Sequence, residues 1–184
     1  MLISLTGTPG TGKTSISEFL KEKSLDIIDL NKLVIEKKFV IGIDKKRHSK
    51  IIDIKKVNLY FNDFKPKNTV IIDGHLSHLI KNVDKVIILR CNPKKLKENL
   101  EKKRWNDKKI KENLEAEILD IILSESVQIH NENNIYEIDT SDLSIDKLAN
   151  IILDLISSKF KNIKKYKIGK IDWSEDYISY LENL

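Results

Sequence analysis

The chain has 184 residues, enough for one compact domain with a hydrophobic core. A hydrophobic share of 40% with 33% charged residues excludes a disordered chain, and a single cysteine, Cys91, excludes a disulfide framework. No apolar run reaches the roughly 20 residues that a membrane span needs. The net charge of +5 suits anionic partners such as nucleotides or RNA. We therefore expect a cytoplasmic protein without a signal peptide or a membrane contact.

Short apolar runs alternate with helical patterns along the chain. The strands are predicted at residues 2–6, 26–29, 69–73, 85–90 and 135–139. The helices are predicted at 13–23, 53–64, 93–104, 110–131 and 144–160. Near-continuous Ile, Val and Leu in the third and fourth strands is typical of strands covered on both faces of a parallel sheet. The alternation predicts an α/β doubly wound fold.

The segment GTPGTGKTS, residues 7–15, follows the first strand and opens the first helix. Its G-x-x-x-x-G-K-T pattern is that of a phosphate-binding loop (P-loop), in which glycines bring backbone N–H groups close to phosphate oxygens. Lys13 should contact the β- and γ-phosphates, and the Thr14 hydroxyl should bind Mg²⁺. The residues predicted to bind ATP in this loop are Gly10, Gly12, Lys13, Thr14 and Ser15.

The third predicted strand ends in Asp73-Gly74-His75, at the edge where ligands of α/β sheets bind. A P-loop needs an acid here to hold the water shell of the metal, and Asp73 is predicted to do so together with Thr14. His75 could orient an attacking water or a phosphate oxygen. A purely structural role for His75 is the alternative.

Basic residues recur at strand ends and between helices, which favours a kinase among P-loop proteins. A kinase needs a second substrate pocket and mobile cations that screen the transferring phosphoryl group. The Asn-Lys-x-Asp motif that reads guanine in GTPases is absent from the sequence. Each cation by itself would be interpreted as a surface charge. The candidates are Arg47, Arg90, Lys102, Lys103 and Arg104.

With these residues, the chain resembles the adenylate kinase isoenzyme 6 family in its archaeal form, over roughly residues 1–155. The resemblance rests on five blocks in one order: GTPGTGKTS, IGIDKKRHSKIIDI, the Asp-x-His of VIIDGH, VIILRC and KKIKENLEAEI. It implies a P-loop NTPase domain at 1–160 with a five-stranded parallel sheet flanked by helices. A segment that binds the nucleoside monophosphate (NMP) would lie at about 30–53 and a lid at about 102–112. A basic and aromatic extension would follow at 161–184.

The resemblance also implies an activity, namely Mg²⁺-dependent phosphoryl exchange between ATP and a monophosphate, with AMP favoured. Arg47 and Arg90 are expected to contact the monophosphate. Family members also hydrolyse ATP and are linked to late maturation of the small ribosomal subunit through transient contact with small-subunit ribosomal protein eleven. Two alternatives are an ATP-switched assembly factor with little metabolic kinase role, and a small-molecule kinase of the shikimate or gluconate type. A monomer is expected for this fold and size.

The lid departs from the pattern of that family. The family usually reads Arg-Gly-Tyr where this chain has Lys103-Arg104-Trp105, so Lys103 aligns with the arginine and Arg104 with the glycine. A planar guanidinium binds phosphate bidentately and lysine cannot, so we expect Arg104 to be the catalytic lid cation, with Lys103 as the alternative. Loss of the glycine should stiffen the lid.

Overall fold

The computed structural model describes residues 1–45, 49–161 and 163–175. In chain order the elements are β1 (Leu2–Gly7), α1 (Lys13–Glu22), β2 (Asp26–Asp29), α2 (Leu30–Glu36), β3 (Val40–Asp44), β4 (Ser49–Ile52), α3 (Ile54–Asn62), β5 (Val70–Asp73), β6 (Lys85–Arg90), α4 (Pro93–Lys102), α5 (Asp107–Ile118), α6 (Ile121–Ile129), β7 (Ile135–Asp139) and α7 (Ile145–Ser157). Within the described ranges, every helix is too short or too polar to span a membrane.

Five strands form one parallel sheet in the order β2-β5-β1-β6-β7. The central strand β1 is buried along its whole length. On one face, Ile3, Leu5 and Ile87 pack against α1 and α7, and on the other, Leu2 and Ile72 pack against α2 and α3. The predicted fold class, a five-stranded parallel sheet flanked by helices, is confirmed. Because all five strands are parallel, their carboxyl ends meet at one edge.

The single helix predicted at 110–131 is wrong. The chain forms two helices there, α5 and α6, and the turn between them places Asp120 in the left-handed region at φ 53°. The apolar stripe continues across the break, which is why periodicity did not reveal it. The turn directs the Asp120 carboxylate to the buried guanidinium of Arg90.

The segment at 30–53 contains elements that the sequence analysis missed. Helix α2 begins directly after β2, capped by the Asp29 side chain, which accepts from the backbone N–H of Lys32 at 3.1 Å. Strands β3 and β4 form an antiparallel hairpin outside the main sheet. The hairpin was missed because its apolar side chains, such as Ile41 and Ile43, stay exposed and its strands are short. Arg47 lies outside the described residues.

The first part of the C-terminal extension packs back on the domain. Ile163 and Tyr166 contact the core cluster that contains Tyr136 and Phe160. Lys167 forms an isolated antiparallel bridge with Tyr136. The remainder of the predicted extension, residues 176–184, lies outside the described residues.

Two glycines of the P-loop allow a direct comparison of strain and crowding. Both Gly7 and Gly12 have positive φ, 141° and 95°, which costs a residue with a Cβ about 1–2 kcal/mol. A Cβ at Gly12 would enter open space, whereas a Cβ at Gly7 would lie 2.4 Å from the backbone oxygen of Leu89 on β6. Gly7 is therefore required by sheet packing as well as by conformation.

We predict that Gly7→Ala destabilises the nucleotide-free protein more than Gly12→Ala. Gly12→Ala should lower the free energy of unfolding by about 1–2 kcal/mol. Gly7→Ala should add a further ~1–3 kcal/mol, because β6 must shift to admit the methyl group. Urea denaturation of both variants measures the difference, and equal losses would contradict the steric argument.

Candidate active site

A cleft of about 480 Å³ opens at the carboxyl edge of the sheet. The P-loop forms its floor, and the ends of β2, β5 and α4 form its walls. Its lining residues include Gly10, Gly12, Lys13, Thr14, Ser15, Asp29, Asp73, His75, Asn99, Lys102 and Lys103. The structure thus brings together the predicted P-loop residues, Asp73, His75 and one of the two predicted lid cations.

Lys13 is held inside the loop by neutral oxygens. Its ammonium donates to the backbone oxygens of Gly7 at 2.6 Å and Thr8 at 2.9 Å. Burial lowers the pKa of Lys13 to about 8, even though Asp73 and Glu117 favour the charged form. A buried ammonium that is bonded only to neutral oxygens is strongly stabilised when a phosphate anion binds it.

The first turn of α1 faces the same cleft. Gly12 occupies the N-cap position and provides no side-chain cap, so the N–H groups of this turn can bind an anion. Thr14 and Ser15 are exposed at this end of the helix. Such a helix start suits a phosphate group.

Asp73 and Thr14 supply a carboxylate and a hydroxyl oxygen to one cleft. Burial raises the pKa of Asp73, while the Ser17 hydroxyl and the Lys13 ammonium oppose that shift. Mg²⁺ prefers a few oxygen ligands and keeps several waters when it binds with phosphates. The donor set fits such an ion.

His75 lies between this cleft and a second cavity, and it lines both. Burial lowers its pKa to about 4, with further repulsion from the cations Lys13 and Lys109 and from His78. The imidazole is therefore neutral at pH 7. Its backbone oxygen accepts from the Thr6 hydroxyl at 3.2 Å, which fixes the segment after β5.

His78 is a further polar residue of this segment, and the sequence analysis missed it. Its imidazole is fully buried, with Nδ1 3.0 Å from the Thr6 hydroxyl and Nε2 2.8 Å from the Glu125 carboxylate. Its backbone oxygen also lies 2.7 Å from Nε2 of His130. The spacing His75-x-x-His78 was visible in the sequence, but its partners on α6 were not.

The second cavity, of about 540 Å³, adjoins the first at Pro9 and His75. It lies between the turn after β5 and the helices α5 and α6, and much of its lining is apolar. Trp105 forms part of the wall, with the Lys109 ammonium 3.7 Å from its ring centre. A flat aromatic side chain beside a cation suits a ligand that carries both a ring and a charge.

Arg90 lies elsewhere than the sequence predicts. Its side chain is 3% exposed, and its guanidinium donates to the carboxylates of Glu117, Glu137 and Asp120. Burial lowers the pKa of Arg90, but these carboxylates outweigh burial and raise it. The prediction that Arg90 contacts a monophosphate therefore disagrees with its place among carboxylates, away from both cavities.

The lid residues also differ from the sequence prediction. Lys102 and Lys103 line the phosphate cleft, whereas Arg104 is exposed and does not. Arg104 has a φ of 56°, the left-handed conformation in which a glycine is free of strain. The residue aligned with the glycine of the family pattern thus keeps the backbone shape of a glycine. Of the two candidates for the lid cation, Lys103 lines the cleft and Arg104 does not.

Known proteins are similar to this chain over most of its length. A family model described as an AAA domain matches residues 3–120. A protein of Methanocaldococcus jannaschii is 39% identical over 183 residues, covering 98% of this chain and 97% of its own. One of Archaeoglobus fulgidus is 40% identical over 182 residues, covering 99% and 97%. Both are named "Putative adenylate kinase".

The chain belongs to this archaeal adenylate kinase-like family. Solved structures of other P-loop kinases share its fold. A shikimate kinase from Acinetobacter baumannii in complex with shikimate has a TM-score of 0.60 at 18% identity, covering 88% of this chain and 95% of its own. A deoxyadenosine kinase from M. mycoides with bound dATP has a TM-score of 0.53 at 16% identity, covering 85% and 99%. At such low identity these likenesses concern the fold alone.

For the lid of this adenylate kinase-like protein, we predict that Lys103→Ala weakens binding of a hydrolysis-resistant ATP analogue about tenfold. A lost charge-assisted contact to phosphate has roughly that effect. Arg104→Ala should change the affinity less than twofold, since this side chain lies outside the cleft. Titration calorimetry of both variants decides between the two cations, and a larger loss for Arg104→Ala would restore the original prediction.

Proposed function

We propose that the protein is a nucleoside-monophosphate kinase of the adenylate kinase type, which converts ATP and AMP to two ADP. One observation carries this proposal: two cavities adjoin at His75, and one of them surrounds the P-loop. A γ-phosphate in the first cavity would face an acceptor in the second. The relatives named as adenylate kinases support the same reaction.

The residues of the first cavity would hold ATP by its phosphates. Lys13 would exchange its bonds to loop carbonyls for the β- and γ-phosphates, and the first turn of α1 would donate N–H groups. Thr14 and, through water, Asp73 would hold Mg²⁺, which when bound neutralises charge between the β- and γ-phosphates. Lys103 would screen the phosphoryl group from the lid side.

The acceptor needs positioning more than activation, because a phosphate oxygen of the monophosphate is already a good nucleophile. The second cavity supplies an apolar wall around Trp105 and the cation Lys109 for this purpose. Arg47, which lies outside the described residues, stays a predicted contact to the monophosphate. AMP is the acceptor expected from the family resemblance.

Hydrolysis of ATP would be a second activity of the same site. A water, unlike a phosphate oxygen, must be held and oriented, and a neutral imidazole can accept its proton or a hydrogen bond. His75 supplies a neutral imidazole at the border of the two cavities, because its pKa is lowered to about 4. We therefore assign the orientation of water to His75.

Action in late maturation of the small ribosomal subunit stays a prediction of the family resemblance. The motivating feature is the basic segment 159–170, in which Lys161, Lys164 and Lys165 are exposed. ATP turnover without monophosphate, modulated by small-subunit ribosomal protein eleven, would favour the assembly factor. A monomeric state and a cytoplasmic location stay predictions as well. A small-molecule kinase of the shikimate or gluconate type is the remaining alternative, and activity with monophosphates separates it from our proposal.

The central prediction concerns Lys13. Lys13→Ala should reduce ADP formation from ATP and AMP to near background, since the ammonium that neutralises the transferring phosphate is lost. Lys21→Ala is the matched control, because it removes an exposed lysine of the same helix. A linked assay for ADP across the common monophosphates measures both variants. Full activity of Lys13→Ala would contradict the proposed mechanism.

A further prediction separates transfer from hydrolysis. His75→Ala should lower ATP hydrolysis roughly tenfold to a thousandfold, and AMP phosphorylation much less, because only water needs the imidazole. Asp73→Ala should damage both activities, since both depend on the metal. Parallel steady-state assays compare the two. Equal losses in both activities for His75→Ala would make that residue a general part of the phosphate site.

A further inference from the structure

The carboxylate of Glu117 is buried, 2% exposed, at a point where three parts of the molecule meet. Its Oε2 accepts from the Thr8 hydroxyl at 2.5 Å. Its Oε1 accepts from Nε of Arg90 at 2.8 Å and from the backbone N–H of Cys91 at 3.1 Å. Every one of these donors comes from a different element than Glu117, so the carboxylate joins α5 to the P-loop and to the end of β6.

Thr8 is a variable position of the P-loop pattern, yet its backbone oxygen accepts three hydrogen bonds within the loop. That oxygen accepts from the Lys13 ammonium at 2.9 Å, from the Thr11 hydroxyl at 2.9 Å and from the Thr11 backbone N–H at 3.2 Å. Thr8 is 2% exposed, and its hydroxyl is directed at Glu117. The carboxylate therefore fixes the peptide that holds the ammonium.

Glu117 also lies on α5, whose first residues belong to the predicted lid at about 102–112. Helix α5 runs as one element from Asp107 to Ile118, and Lys109 near its start lines the second cavity. A helix of 12 residues is about 18 Å long, so α5 connects the second cavity with the P-loop. Its far end is held by the hydrogen bond from the Thr8 hydroxyl to the Glu117 carboxylate and by the one from Arg90 to the Glu117 backbone oxygen at 3.1 Å.

We propose that Glu117 is a positioning residue, which through Thr8 fixes the P-loop and its Lys13 relative to the lid helix α5. It touches neither cavity, so it acts on the phosphates through the loop. The expected effect of Glu117 on turnover rests on the proposed kinase function. Its expected effect on nucleotide binding depends on the P-loop alone.

Two substitutions separate this role from a general contribution to stability. Thr8→Val keeps the shape of the side chain and removes the hydroxyl. Glu117→Gln keeps the size and leaves Arg90 paired with Glu137 and Asp120, so the protein should fold. Glu115→Gln makes the same chemical change two residues away on the same helix, outside both cavities, and is the matched control.

We expect Thr8→Val and Glu117→Gln each to lower kcat about tenfold. Because Glu117 lines neither cavity, Glu117→Gln should change the KM for AMP less than twofold. The double variant should lose less than the product of the two single losses, because both substitutions weaken the same contact between Thr8 and Glu117. Thr8→Ser, which restores a hydroxyl, should retain more activity than Thr8→Val. Steady-state kinetics with ATP and AMP, and thermal unfolding of each variant, provide the measurements.

The proposal would be overturned if the double variant lost kcat by the product of the two single losses. It would also be overturned if Glu117→Gln lowered thermal stability and left kcat unchanged. Affinity for a hydrolysis-resistant ATP analogue keeps the test independent of the reaction. If the unmodified protein forms no ADP, the kinase proposal fails, while the same non-additive loss of analogue affinity, about tenfold, would still support Glu117. Additive or absent losses of affinity would overturn it.

Discussion

The arrangement of the site depends on one buried cation, the guanidinium of Arg90. A guanidinium that is 3% exposed must be fully paired, because an unpaired buried charge is strongly destabilising. Its partners come from three places: Glu117 on α5, Asp120 in the turn between α5 and α6, and Glu137 on the edge strand β7. The need to pair this charge therefore fixes where α5 ends, where the chain turns and how both meet the sheet.

The constraint extends in two directions from Arg90. Through Glu117 it reaches Thr8, whose backbone oxygen binds Lys13. Through Glu137 it reaches the C-terminal extension, because the backbone N–H of Gly169 donates to that carboxylate at 2.9 Å. Hydrogen bonds in a buried network of this kind support one another. The P-loop and the extension are thus joined to one internal framework.

The electrostatics of the cleft suit an anionic ligand. Lys13 has a pKa lowered to about 8 and bonds to neutral carbonyls, and Lys103 adds a second positive charge beside it. His75 remains neutral because its burial and the nearby cations Lys13 and Lys109 lower its pKa to about 4. A bound triphosphate would pair with the lysines and favour the charged form of Lys13. Binding of the anion and protonation of Lys13 therefore favour each other.

The fold class, the P-loop and the acid at the end of β5 could be predicted from the sequence. They follow from local features: apolar strands of four to six residues, glycine spacing and the position of Asp73 at the end of a buried strand. Such features depend on neighbouring residues in the chain, and a pattern can detect them.

The tertiary structure alone decided the roles of the arginines and of the residues around them. Arg90 and Arg104 each had the charge that a phosphate site needs, but one is surrounded by carboxylates from distant elements and the other has a left-handed backbone that leaves it outside the cleft. The importance of Thr8 and Glu117, which are 109 positions apart, appears only when the sheet brings their elements together. Composition and periodicity record which groups a chain carries, whereas packing decides which groups meet.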